Sequence, residues 1–175
     1  VFRTLLFKLF NKVETWELLV DGLGETPTWE SFDLDVYDEL LSRNFAAGTR
    51  IYSAAYVMAP PKLGAVRKHT NHLRLLRDMM IGDVPDALAA SATMKDAFEL
   101  LLAQPGIGDF LAFQYIIDLN YSAGLDFDEM DYVVAGPGAK DGIRKCFGAA
   151  AAGIEREIIA YMAETQHEHF GRLGL

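Results

Sequence analysis

Apolar side chains recur along this chain at steps of three and four, the spacing that gathers them on one face of a helix. Phe2, Leu5, Leu6, Leu9, Phe10, Val13 and Trp16 form the first stripe and predict one helix running to about Val20. Gly22, Gly24, Pro27 and Thr28 read as a loop. Asp33 is placed to cap a helix with the stripe Leu34, Tyr37, Leu40, Leu41 and Phe45, which Gly48 ends. Ile51 to Met58 is a short apolar run whose helical neighbours favour helix over strand, and Pro60-Pro61 breaks the chain after it. Val66 to Ile81 predicts a long helix with Val66, Leu73, Leu76 and Met80 on one side. Asp83-Val84-Pro85 starts a short helix through Ala90. Thr93 and Asp96 have a capping-box layout, with Asp where Glu or Gln is usual, and Phe98, Leu101 and Leu102 then face the core. Phe110 to Leu119 is apolar nearly all round and reads as a central helix. Ala135-Gly136-Pro137-Gly138 turns into a short basic helix. A last helix is expected over about Ala150 to Phe170, with Ile154, Ile158 and Met162 inward. No alternating pattern of any length suggests a strand, so the predicted fold is all-α.

Length and composition fit one helical domain over residues 1–175, with 51% apolar residues to fill a core. No apolar run approaches the roughly 18 residues of a membrane helix, so no membrane partner is expected. The chain starts inside an amphipathic stripe, Val1-Phe2-Arg3-Thr4, without an initiator Met or a signal-peptide layout, and reads as a piece of a longer protein. Its single cysteine, Cys146, excludes an internal disulfide and suits a reducing, intracellular compartment. No Cys/His cluster has zinc spacing. His69 and His72 stand three apart without an evident third ligand, so neither metal nor cofactor is expected.

A net charge of −9 argues against sequence-blind affinity for nucleic acid. The charge is unevenly spread, however. Asp21 to Glu39 and Asp118 to Asp131 carry acids and no Lys or Arg, whereas Lys62 to Arg77 carries bases and no acid. Arg67, Lys68, His69, His72 and Arg74 make a basic helix face suited to phosphates, or equally an ordinary solvated face. Arg144 and Lys145, with Lys140, form a second basic cluster. Contact through so few cations is expected to be weak and strongly salt-dependent.

The most informative segment is Leu101-Leu102-Ala103-Gln104-Pro105-Gly106-Ile107-Gly108-Asp109-Phe110-Leu111-Ala112, within a helical hairpin at about 94–122. The glycines permit a sharp turn and close approach. The amides at Gly106, Ile107, Gly108, Asp109 and Phe110 then face outward at a helix start, where the dipole favours an anion such as a DNA phosphate. Ile107 would pin the turn to the core and Ala112 would let the two helices close up. The competing view is an ordinary helix-to-helix turn.

Leu-x-x-Pro-Gly-Ile-Gly-x-x-x-Ala between two helices resembles the helix-hairpin-helix of the DNA glycosylase superfamily. Residues 105–115 with Asp118-Leu119-Asn120-Tyr121-Ser122 are similar to a glycosylase-related family of DNA base hypermodification proteins. So are residues 128–138, which run on to Gly142-Ile143-Arg144-Lys145-Cys146-Phe147, and the N-terminal stretches Phe2 to Trp16 and Ile51 to Met58. Its members include the helical domain of 5-hydroxymethyluracil DNA kinases and the alpha-glutamyl/putrescinyl thymine pyrophosphorylases. The resemblance implies DNA carrying a modified pyrimidine as partner, flipped out of the duplex, and a kinase or other base-modifying domain alongside.

It also implies a catalytic acid after the hairpin's second helix. Carried over onto the acidic loop at 126–131, that acid is Asp131 first, Asp128 second and Glu129 third, and a helix-capping role competes for each. Where bifunctional glycosylases have a Schiff-base Lys just after Gly-x-Gly, this chain has Asp109 and Phe110, so any base excision would be monofunctional. Asp109 also adds negative charge at the anion site. Tyr52 and Tyr56, four apart, are candidates to stack on a flipped base, and Gln114, Asn120 and Tyr121 to read its edge; core packing and capping are the alternatives. No P-loop is present, so the chain is not a kinase by itself. A base-modifying transferase, a non-catalytic DNA-binding module and a helical protein-interaction domain are the remaining readings.

Overall fold

A single backbone event divides the first apolar stripe. Asn11 adopts the left-handed conformation (φ 49, ψ 44), which asparagine tolerates better than most residues, and its amide donates to the Phe7 carbonyl. That closes α1 (Phe2–Phe10); α2 (Val13–Leu23) starts after an extended Lys12. The one helix expected to reach Val20 is therefore two. The computed structural model describes residues 1–54 and 58–174. Its further helices are α3 (Leu34–Ala46), α4 (Lys68–Ile81), α5 (Val84–Ala89), α6 (Met94–Leu102), α7 (Asp109–Asn120), α8 (Pro137–Phe147) and α9 (Glu155–Arg172), with a 3-10 turn at Ala149–Ala151. No strand occurs among the described residues, and the protein is all-helical.

The local signals act as the side chains dictate. Asp33 accepts hydrogen bonds from the Asp35 and Val36 amides at 2.9 and 3.2 Å and starts α3. Thr93 and Asp96 close a reciprocal capping box at the head of α6. Phe45, placed on the buried stripe of α3 by its spacing, is instead exposed. So is Val66, which lies before the first residue of α4.

The chain forms two compact units, Val1–Asp126 and Phe127–Leu175. In the first, α6 packs on α7, α3 on α4, and α1 on both α4 and α7. Leu5, Leu6, Leu41, Leu73, Leu76, Leu101, Ile116 and Leu119 are buried between them, each such side chain contributing about 1.5–3 kcal/mol. Ile51 to Ala54 is irregular rather than helical. Its backbone bonds outward instead: Thr15 Oγ1 donates to the Ile51 carbonyl at 2.9 Å, and the Ser53 amide to the Phe10 carbonyl at 3.0 Å. Those bonds replace the i to i−4 ladder that a helix would need.

In the second unit α9 packs on α8, and Ile143 and Ala151 are buried. The expected inward face of α9 is only partly formed. Ile154 and Met162 are about half exposed, and no residue of α9 is buried. Ile158, with Ile159 beside it, is half-buried.

Candidate nucleic-acid interface

The turn between α6 and α7 is shaped by one glycine. Gly106 has φ +78, and a Cβ there would meet the Cβ, Cα and N of Pro61 at 3.2–3.3 Å. Both the angle and the contact call for glycine. Gly108 differs: it is extended (φ −97, ψ 176), caps α7, and faces open space. Ile107 between them is 5% exposed and anchors the turn, and fully buried Ala112 allows α7 to close on α6. No side chain caps α7. Its first turn is exposed at Asp109 and Phe110, so the partial positive charge of that helix end faces solvent.

The cations are less available than their number suggests. Arg67 is exposed before α4. Lys68 Nζ sits 4.1 Å above the Tyr52 ring, and partial burial lowers its pKa. Arg74 donates to the Leu63 carbonyl at 2.7 Å. His69 and His72, counted with the basic face in the sequence, turn into the core and are 2% and 0% exposed. Each has polar partners there, which is what lets an imidazole be buried. Ser42 lies 2.9 Å from His69 Nε2, and Asp38 lies 3.6 Å from it. In the second unit Arg144 and Lys145 both pair with Asp141, at 2.8 and 2.6 Å, and hold its carboxyl below the usual range.

Tyr52 lies in the irregular segment, not on a helix; Tyr56 is outside the described residues. The Tyr52 ring stacks on Phe10 with centroids 5.1 Å apart. His72 Nε2 donates to the Ala59 carbonyl at 3.3 Å, leaving Nδ1 to accept from the Tyr52 hydroxyl at 2.8 Å. Burial pushes the tyrosine pKa up and drives that of His72 down to about 4. Gln114 and Asn120 are half-buried on α7, and Tyr121, next to Asn120, is 76% exposed. These residues share the first unit with the hairpin.

The acids of the loop belong to the second unit, and Asp128, Glu129 and Asp131 are all exposed. Asp128 Oδ1 accepts from the Met130 amide at 2.9 Å, and its carbonyl accepts from the Asp131 amide at 3.1 Å. Asp128 thus ties a local turn. Arg156 donates to the Asp131 carbonyl at 2.8 Å and lies 5.2 Å from the Tyr132 ring, fixing the backbone beside that carboxylate. No group of three or more metal-ligating side chains occurs among the described residues, and no described helix is long and apolar enough to cross a membrane.

One pair was not anticipated. Lys8, 5% exposed, reaches Asp118 at 2.9 Å and links α1 to α7 by charge. The sequence signal was a lysine inside the apolar stripe of α1 and an acid near the end of the apolar α7. No curated protein and no solved structure matches the chain. A family described as 5-hmdU DNA kinase, helical domain, matches residues 1–175, and the chain belongs to it.

Proposed function

We propose that this chain is the DNA-holding part of a base-modification system: it grips a backbone phosphate with a helix-hairpin-helix of the glycosylase type and presents a flipped, modified pyrimidine nucleotide to a kinase or other base-modifying domain. The observation that carries this is the α6–α7 turn. Gly106 is locked against Pro61, and the following helix start is left exposed without a side-chain cap, an arrangement suited to a phosphate. The family description supports modified DNA as the substrate class. Arg67 and Lys68 are the further phosphate contacts in the first unit, and Arg144 and Lys145 those in the second. Gln114, Asn120, Tyr121, Tyr52 and Tyr56 are the candidates for contact with the base.

Asp131 is the proposed acid if the chain itself performs glycosylase-like chemistry, ahead of Asp128, whose side chain already serves a turn, and Glu129. The test is single-turnover reaction and anisotropy binding on duplexes carrying 5-hydroxymethyluracil or thymine. Salt-sensitive binding without product assigns the chain to presentation. A product that Asp131→Asn abolishes while binding persists makes it the enzyme. Salt-insensitive binding, or none, sinks the reading.

A second reading, a protein-interaction module, is favoured by one feature. Tyr161, Met162, Phe170 and Leu173 are 49–72% exposed on and just after α9, a pattern that marks contact surfaces. A polar variant of these four that retains DNA binding but loses capture of the kinase domain would support it.

A further inference from the structure

One cleft of the first unit lies apart from the α6–α7 turn. It is open, about 490 Å³ in volume, and lined by Arg3, Thr4, Phe7, Val13, Trp16 and Asp118. We propose that it is a nucleotide subsite, which takes a planar base against Phe7 and Trp16 and a phosphate at Arg3.

Three observations carry this. The two aromatic rings lie 6.4 Å apart at 68°, and both are only half-buried, so ring surface is left for a ligand. Base stacking on such rings is tolerant of sequence. Second, the cleft carboxylate is not a free anion. Lys8 neutralises Asp118 at 2.9 Å, while the Asp118 side chain keeps 36% of its surface in solvent. Its oxygens can still accept from a base N–H. Third, Arg3 is exposed and has no ion-pair partner among the described residues, so the cleft carries a net positive charge on a chain of −9. That balance disfavours an ammonium ligand and fits an aromatic ring bearing an anion. The volume is within the usual range for small-ligand pockets, about 300–1,000 Å³.

The site is independent of the hairpin amides. Helical rise puts Asp118 about 14 Å along α7 from Asp109. The nucleotide can be a free one or one within a strand; the chemistry is the same.

The test uses the whole chain with Trp29→Phe, which leaves Trp16 as the fluorescent indole. Deoxyuridine monophosphate, deoxyuridine and a single-stranded thymine oligonucleotide are titrated. The expected result is saturable quenching, at least about tenfold tighter for the monophosphate than for the nucleoside. Arg3→Gln, a change at an exposed position, should erase that difference. An oligonucleotide that binds tighter than the monophosphate identifies a nucleotide within a strand; the reverse identifies a free one. Absence of saturable quenching by all three, or quenching that Arg3→Gln leaves unchanged, overturns the proposal. Asp109→Arg, at the hairpin, should alter duplex binding and leave monophosphate binding intact. Loss of duplex binding with monophosphate binding retained would therefore count against the hairpin alone.

Discussion

The hydroxyl of Tyr52 donates to Nδ1 of His72 at 2.8 Å, and the opposite nitrogen donates to the Ala59 carbonyl. Together they hold a neutral imidazole in the core, in one tautomer. Burial, with Lys68 and His69 nearby, outweighs the raising effect of the Ala59 carbonyl and leaves the ring pKa at about 4, against an ordinary 6.5. Below pH 6.5 the unfolded chain therefore binds a proton that the folded chain refuses until about pH 4. Stability is fully present above about pH 7 and falls as the pH drops through that window, by up to about 3 kcal/mol. The burial shift of His69 has the same sign. Urea unfolding at pH 7.5 and 5.0 checks this. The loss should shrink in His72→Gln, and an unchanged pH slope in that variant would assign the effect elsewhere.

The two turn glycines should respond differently. Gly106→Ala imposes a side chain at φ +78 and against Pro61, and should cost about 1–3 kcal/mol. Gly108→Ala meets nothing at an extended backbone angle, and should cost less than about 1 kcal/mol. Equal losses in urea midpoints would show that the turn is not built as described.

Asp109 sets stability against binding. Its carboxylate in the first turn of α7 favours the helix by about 0.3–1 kcal/mol, yet opposes an approaching phosphate. Asp109→Asn should lower stability slightly while tightening DNA binding, most visibly at low salt. Weaker DNA binding in this variant would contradict phosphate contact at the helix start.

Lys8 and Asp118 should be coupled. Removing Asp118 alone leaves a buried ammonium; the cost of Asp118→Leu should be about 1–3 kcal/mol, at the lower end for a buried pair because solvent reaches the carboxylate. Adding Lys8→Met should recover most of it. Additive losses in the double-mutant cycle would mean the pair contributes nothing as a pair.

The legible parts of the fold were those with local causes. Asp33, the Thr93–Asp96 box and the Pro105-Gly106 turn act through neighbours in sequence, and each starts or stops a helix where its chemistry requires. Most of the misread parts have distant causes, and the break at Asn11 is local but silent in the apolar spacing. Asn11 breaks an apolar stripe that continues unbroken in the sequence. Ile51 to Ala54 is held by Thr15 and Phe10, which no local pattern reveals. The histidines of α4 look like part of a basic face until Ser42, Asp38 and Tyr52 are brought beside them. For the candidate site, spacing marked Gly106 and Ile107, whereas the Lys8–Asp118 pair joins two helices far apart in the chain.

Pro61 touches Gly106, and the Tyr115 hydroxyl donates to Met58 Sδ at 3.3 Å. The turn is thus braced by a segment more than forty residues upstream of it. Residues 94–122 are consequently not a portable cassette: transplanted to another scaffold, they would bring the turn sequence but leave its support behind. A minimal peptide cut from this region should lack the turn's shape, and any engineered transfer of the hairpin would have to carry residues 58–61 along with it.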